Sequence, residues 1–204
     1  QMTLFVAEGL IRADNQVWRE GDCDPRLPLT DAHLRWLHTQ GVPAEGDQGV
    51  EARGFGRVVS GWLIGHELLH AERAPGNTCL MGLKTLPRDP PIPARNESKG
   101  CGGVMRVAPV GLAFPIDWNP FEMAADVAGL THGHPTGQLA AGAFAVIISE
   151  LCVGAPVRAA IATAVAELSD WEGAEETLSA VRSAVALAAE ARESGTSPAP
   201  ERIE

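Results

Sequence analysis

The segment Ser98-Lys-Gly-Cys-Gly-Gly-Val-Met-Arg-Val-Ala-Pro109 says most about how this chain folds, because it places a glycine-rich loop directly before an apolar, helix-compatible run. Gly100, Gly102 and Gly103 leave the backbone free to turn its N–H groups toward one point, and they let a ligand approach the main chain closely. If a helix starts at Gly103 or Val104, its unpaired first-turn N–H groups and the positive end of its dipole add to the same field. The loop therefore predicts an anion site, with phosphate as the natural guest.

Two polar side chains can complete this site. Ser98 offers a hydroxyl at the start of the loop, and Arg106 lies one turn into the following run, where it can pair with a phosphate or with a buried acid. The alternative interpretation is a glycine-rich turn that only joins two helices, since short glycine-rich matches are frequent by chance. The residues alone leave both interpretations open.

Outward from this segment, apolar residues recur at helical spacing on both sides, and no strand-like alternation is found. Helices are predicted at residues 2–17, 30–38, 58–71, 78–86, 122–131, 135–153, 156–169 and 172–193. Thr30 is the expected cap of the second helix. The pattern predicts an all-α fold, with one helical domain at residues 1–193 and a disordered tail or linker at residues 194–204.

Two connections stand out by composition. Residues 39–55 are rich in Gly, Pro and acids, which suits either a substrate-facing lid or a disordered connector. Residues 87–94 contain four prolines and cannot form a helix interior.

The overall composition excludes several classes of protein. A hydrophobic content of 45% is normal for a packed core, and a net charge of -10 argues against binding of a nucleic-acid polymer, which needs a basic face. The longest apolar run, residues 139–148, is too short to span a bilayer, so no membrane partner is expected. The four cysteines form no C-x-x-C pair, which favours a reducing compartment and a cytoplasmic location.

The segment ending at Pro109 resembles the Ser-x-Gly-x-Gly-x-x-Met-Arg-x-x-Pro motif of the ADP-ribosylglycohydrolase family. The family's Thr-His-x-x-Pro motif is matched later, at Thr131-His-Gly-His-Pro135. Further similar stretches are Gln1-Met-Thr-Leu-Phe-Val-Ala-Glu-Gly-Leu10, Arg73-Ala-Pro-Gly-Asn-Thr78 and Ala124-Ala-Asp-Val-Ala-Gly-Leu130. The resemblance runs from the first residue to about Cys152.

This resemblance implies a compact, orthogonal multi-helix fold and a magnesium-dependent enzyme. Such an enzyme hydrolyses the N- or O-glycosidic bond between ADP-ribose and a modified side chain or small acceptor. The substrate-binding residues carried over are Ser98, Gly100, Cys101, Gly102, Gly103, Arg106 and His132. His134 is a weaker second candidate beside His132, and Cys101 stands where many members have asparagine, which alters the hydrogen bonding offered to ribose.

The family's metal motifs are missing from this chain. A Thr-Asp-Asp-Thr motif precedes the first helix in the family, and a Gly-Asp-x-Asp-Ser/Thr segment lies near its C-terminal end; neither sequence occurs here. Magnesium needs several oxygen ligands, usually including carboxylates, so the two-ion site expected in the family has no ligands in this chain and no catalytic acid can be named. We therefore expect an incomplete, central piece of the fold that is inactive by itself. A non-catalytic, ADP-ribose-binding or crystallin-like protein is the alternative, and neither the acceptor nor the oligomeric state can be read from the motifs.

A separate motif, His66-Glu-Leu-Leu-His70, matches the H-E-x-x-H pattern that places two imidazoles on one helix face for zinc. The metzincin continuation fails, because Arg73 and Gly76 stand where a glycine and a histidine are needed. We interpret the pair as a chance match on an exposed helix, with a zinc metallopeptidase as the alternative.

Overall fold

The computed structural model describes residues 1–42, 61–86, 93–113 and 118–198, and these residues form eight α-helices and no β-strand. The helices are α1 (Met2–Glu20), α2 (Arg26–Thr39), α3 (Asn77–Lys84), α4 (Ala108–Leu112), α5 (Pro120–Gly129), α6 (Pro135–Cys152), α7 (Val157–Leu168) and α8 (Glu175–Ser194). Short 3₁₀ turns cover Leu63–Gly65, Glu67–Leu69 and Val104–Arg106. The all-α prediction is confirmed.

In helix α1, the apolar residues that recur at helical spacing form the buried face. Met2, Phe5, Val6 and Leu10 are all buried, as the predicted helical face requires. The helix ends where Gly21 takes a left-handed conformation, with φ 83°, and its N–H donates to the carbonyl of Val17.

Helices α5 and α6 begin with strong local signals. The Asn119 side chain accepts hydrogen bonds from the N–H groups of Phe121 and Glu122, and both helices have proline in the first turn, where its missing N–H costs nothing. His134 caps α6, with its Nδ1 accepting from the N–H of Thr136 at 3.1 Å. The predicted start of α6 is the observed one, while the predicted start of α5 at Glu122 missed the Asn119 cap and lies two residues late.

Helix α6 lies at the centre of the helical packing, against α4, α5 and α7. Phe121 of α5 fits against Gly142 of α6, where a Cβ would meet the phenyl ring at 2.8 Å. Among the helices that the structure describes, α6 alone is long and apolar enough to cross a membrane, judged by length and composition only. A core helix of a folded domain passes the same test, and α6 occupies that position here.

The N-terminal half differs from the prediction at two places. Helix α2 starts at Arg26, and Thr30 lies inside it with its hydroxyl donating to the Arg26 carbonyl at 2.7 Å, so Thr30 is not the cap. The predicted helix at residues 58–71 is wrong over its described residues, because His66 has an extended backbone (φ -90°, ψ 109°) between two 3₁₀ turns. Gly61, with φ 143°, starts this irregular segment.

Several predicted segments lie partly outside the described residues. These are the lid or connector at residues 39–55, the proline-rich span at 87–94 and the tail at 194–204. Helix α8 ends at Ser194, and Gly195 caps it with φ 67°, so the last helix extends a single residue beyond the predicted boundary.

Candidate functional site

The glycine loop, residues 98–103, is tied at its start to the turn between α5 and α6 by Asn96. The Asn96 Oδ1 accepts hydrogen bonds from the N–H of Ser98 at 3.0 Å and of Gly133 at 3.1 Å. Its Nδ2 donates to the carbonyl of Thr131 at 3.0 Å. A Cβ on Gly133 would collide with the Asn96 backbone, so glycine is required for this close approach. Asn96 was not among the predicted site residues, although a bond from an asparagine side chain to the N–H two residues on is typical of a turn.

The outer rim of the loop offers polar groups to solvent. The Ser98 hydroxyl donates to Thr78 Oγ1 and accepts from the Gly100 N–H, both at 3.3 Å. Gly100 and Cys101 are exposed, and Gly102 is half-buried. Among the residues that the structure describes, no hydrogen bond takes up the N–H of Cys101 or Gly102. These two N–H groups are therefore available to an acceptor that approaches the rim.

The inner side of the loop explains why its residues are glycines. A Cβ on Gly102 would lie 2.7 Å from Cys79 Sγ and 2.9 Å from His132 Cε1, and one on Gly103 would lie 2.9 Å from the Ala128 Cβ. The described glycines with positive φ do not include these loop positions. The glycines therefore provide room for the loop to pack against α3 and α5, and not a left-handed backbone conformation.

Arg106 lies behind the loop and is fully buried. Its Nη2 donates to the carbonyl of Val127 at 2.6 Å and to Thr131 Oγ1 at 2.9 Å, and its Nη1 lies 3.7 Å from Cys79 Sγ. Burial lowers the pKa of Arg106 to about 10, so the guanidinium is still charged at neutral pH. Arg106 therefore pairs with the C-terminal end of α5, where a cation is favoured by the helix dipole.

His132 lies directly beneath the loop and is also buried. Its Nδ1 is 2.7 Å from Thr131 Oγ1, and its backbone N–H donates to the Ala128 carbonyl at 3.0 Å. Burial, with a smaller effect of the Arg106 charge, lowers the pKa of His132 to about 4. A Cβ on Gly100 would lie 3.5 Å from His132 Nε2, so the edge of a neutral imidazole faces the loop.

The structure thus brings the seven predicted binding residues into one cluster, at different depths. The exposed or half-buried members are Ser98, Gly100, Cys101 and Gly102, and the buried members are Gly103, Arg106 and His132. His134, the weaker candidate, is engaged as the cap of α6. Thr131 and Gln138 also support the cluster, although neither was predicted as a site residue. Gln138 Nε2 donates to the carbonyls of His132 and Gly133 at 2.9 and 3.0 Å.

The described residues do not fit a magnesium site. They contain no group of three or more His, Cys, Asp or Glu side chains placed to hold a metal ion. The sequence does contain one Asp-x-Asp, at Asp22 and Asp24, but Asp24 forms an ion pair with Arg26 at 2.9 Å and Asp22 accepts from the N–H of Cys23 at 2.8 Å. Both carboxylates therefore serve the turn before α2.

The backbone at His66 and His70 does not support the alternative of a zinc metallopeptidase. An H-E-x-x-H motif presents two histidines on one face when it lies on an α-helix, whereas His66 and His70 flank the 3₁₀ turn at Glu67–Leu69. His70 Nε2 is 2.8 Å from the carbonyl oxygen of Ile64 and its ring packs edge-on against His38. The predicted helix here was wrong, although both histidines are exposed as expected, and the pair does not form the geometry that the motif implies.

Comparison with known proteins extends the likeness beyond Cys152. The family model described as ADP-ribosylglycohydrolase matches residues 1–204. No curated protein and no solved structure matches the chain. A match over the whole length, together with a glycine loop packed over His132, shows that this chain belongs to the ADP-ribosylglycohydrolase family.

Proposed function

We propose that this protein binds the ADP-ribose moiety of an ADP-ribosylated substrate at the glycine loop and serves hydrolysis of its N- or O-glycosidic bond. The observation that carries the proposal is the layered arrangement at the loop. Its rim offers the N–H groups of Cys101 and Gly102, and the buried imidazole of His132 faces it from below. Uncharged groups of this kind on one loop suit the oxygens of a diphosphate or a ribose.

The residues of this chain would bind and orient the substrate. The loop N–H groups would hold diphosphate oxygens, and His132 would contact diphosphate or ribose. The exposed Cys101 thiol would face the ribose with weaker hydrogen bonding than an amide gives. The described carboxylates do not form a metal site, so no step of the proposal passes through magnesium.

A non-catalytic ADP-ribose-binding protein is the second candidate, and the same lack of a described acid cluster favours it. This candidate predicts binding without turnover. We propose that the chain by itself behaves in this way, because binding groups are assembled here while the residues that the structure describes assemble no acids that would steer a water.

The cysteines and the net charge support a proposal for the location of the protein and for its partners. All four cysteines are free, and Cys101 and Cys152 are exposed, which supports a reducing, cytoplasmic environment. The net charge of -10 supports a small-molecule or protein-linked substrate rather than a nucleic-acid polymer. Fractionation of cells that express the full-length protein would test the location.

Calorimetric titration of ADP-ribose into the chain, with and without Mg²⁺, tests the proposal. Gly100→Asp is the informative variant, because its Cβ would lie 3.4 Å from Ser98 Oγ and 3.5 Å from His132 Nε2, which are ordinary contacts. We expect binding by the wild type and loss of binding by Gly100→Asp, since the carboxylate repels a diphosphate. The matched control is Gly65→Asp, in an exposed turn where a Cβ would meet nothing within 4 Å, and it should bind as the wild type does.

Folded wild-type chain that binds no ADP-ribose under either condition would contradict the proposal. Equal binding by Gly100→Asp would place the ligand elsewhere. Release of free ADP-ribose from an ADP-ribosylated peptide, followed by chromatography, separates the two candidates: turnover favours the hydrolase, and binding without turnover favours the non-catalytic protein.

A further inference from the structure

We propose that Thr131 is a positioning residue that fixes the tautomer of His132, so that the imidazole presents an Nε2–H donor to the glycine loop. The inference deepens the proposed function of the loop and rests on it for the ligand, but the tautomer itself is a property of the free protein. Thr131 is fully buried and lies between Arg106 and His132 in a continuous chain of hydrogen bonds.

Arg106 determines which atoms donate and which accept in this series of hydrogen bonds. A guanidinium has donors only, so the 2.9 Å contact between Arg106 Nη2 and Thr131 Oγ1 must be donated by the arginine. The Thr131 oxygen is therefore an acceptor in that bond, and its single hydroxyl hydrogen remains for one other partner.

Two acceptors lie within reach of the Thr131 hydroxyl. His132 Nδ1 is 2.7 Å away, a typical length for a hydroxyl hydrogen bond, whereas the Ala128 carbonyl is 3.4 Å away. The Ala128 carbonyl also accepts from the backbone N–H groups of Thr131 and His132, at 3.1 and 3.0 Å. The hydroxyl hydrogen is therefore donated to His132 Nδ1.

A ring nitrogen that accepts a hydrogen bond carries no hydrogen. The imidazole is neutral at pH 7, because burial and the nearby Arg106 charge lower the pKa of His132 to about 4. A neutral imidazole has one N–H, so the hydrogen must be on Nε2. The hydrogen bonds from Arg106 to Thr131 and from Thr131 to His132 thus fix the ring hydrogen on Nε2, on the side of the ring away from Thr131.

Gly100 and Gly102 place no side chain of their own beside this donor. A Cβ on Gly102 or Gly100 would lie 3.2 or 3.5 Å from His132 Nε2, and neither glycine has one. An acceptor oxygen that approaches between these glycines receives the Nε2–H bond. A His132 with its hydrogen on Nδ1 would present a lone pair instead and would repel the same oxygen.

The tautomer can be measured by long-range ¹H–¹⁵N NMR of the histidine rings at pH 7, in the absence of ligand. We expect His132 as the Nε2–H tautomer in the wild type and in Thr131→Ser, which keeps the hydroxyl. In Thr131→Val, which has nearly the same shape but no hydroxyl, we expect a mixture of tautomers. Thr136→Val is the matched control, because its hydroxyl donates to Glu176 at 3.1 Å outside this chain of bonds.

Titration of ADP-ribose adds a functional readout. Thr131→Val should weaken binding about tenfold, the effect of one lost hydrogen bond of about 1.4 kcal/mol, and Thr131→Ser should bind as the wild type does. An Nδ1–H tautomer in the wild type, or an unchanged tautomer in Thr131→Val, would overturn the inference, and the wild-type result stands even if Thr131→Val does not fold. The Nε2–H tautomer in a wild type that binds no ADP-ribose would support the positioning role and contradict the proposed function.

Discussion

Gly102 lies where the structure has no room for a Cβ atom. The space that its Cβ would occupy lies 2.7 Å from Cys79 Sγ and 2.9 Å from His132 Cε1, and both of these side chains are buried. Neither neighbour can swing into solvent, so a methyl group here must displace α3 or the His132 ring. The residue therefore fixes how closely the loop approaches the imidazole.

We predict that Gly102→Ala lowers the free energy of unfolding by about 1–3 kcal/mol, the usual cost of overpacking a filled interior. Gly100→Ala is the control in the same loop, because its Cβ would make only ordinary contacts, at 3.4 Å or more. It should show no loss of stability. Urea denaturation of the two variants makes the comparison, and a Gly102→Ala protein as stable as the wild type would show that the loop is less tightly packed than described.

At the level of elements, α5 is held at both ends by side chains from outside it. Asn119 Oδ1 accepts from the N–H groups of Phe121 and Glu122, at 2.7 and 3.2 Å. At the other end, Arg106 donates to the carbonyl of Val127. Since the Thr131 and His132 backbones follow directly from this end, the helix carries the candidate site.

We predict that Asn119→Ala lowers the free energy of unfolding by about 1 kcal/mol, because two N–H groups lose their cap. Asn119→Ser keeps an acceptor for the cap while losing the 2.8 Å bond to Glu167, so it should recover most of the loss. Asn15→Ala, on the exposed side of α1, is a second control and should have little effect. Equal losses in the alanine and serine variants would assign the stability to the Glu167 contact instead of the cap.

At the level of the whole molecule, two buried histidines connect stability to pH. Burial lowers the pKa of His33 to about 3 and that of His132 to about 4, and the Arg106 charge adds to both effects. In the unfolded chain both residues return to about 6.5. Between about pH 6.5 and pH 4 the unfolded state therefore binds more protons than the folded state, and stability must fall as the pH falls.

We predict a loss of about 1.4 kcal/mol per pH unit for each of these histidines over that window. His33→Gln should remove one share of the slope, because glutamine does not titrate. His38→Gln, at an exposed position of α2, should leave the slope unchanged. The measurement is the free energy of unfolding from urea titrations at several pH values between 4 and 7, and a slope that is the same in all three proteins would contradict the buried, neutral state of His33.

The predicted bounds of α5, α6 and α7 lie within two residues of the observed ones, and prolines mark the starts of α6 and α7. The prediction failed at residues 61–71, where apolar spacing was compatible with a helix but the chain forms 3₁₀ turns around an extended His66. The spacing of apolar residues indicates which side chains can be buried together, but it does not exclude an irregular backbone. Here the irregular segment buries Leu63 against α2, as a helix could also have done. The residues that the motif predicted lie together in the structure, while their hydrogen-bond partners were not predicted.

By itself, the sequence determined the helical class, most helix positions, the place of the glycine loop and the family resemblance, since each of these is written in short, local patterns. Only the tertiary structure decided why the loop is glycine-rich, what Arg106 binds and which residues support His132. The bond from Arg106 to Val127 joins residues 21 apart, and the bond from Asn96 to Thr131 joins residues 35 apart. Contacts of this length depend on how helices pack against one another, and that packing is a property of the folded chain as a whole.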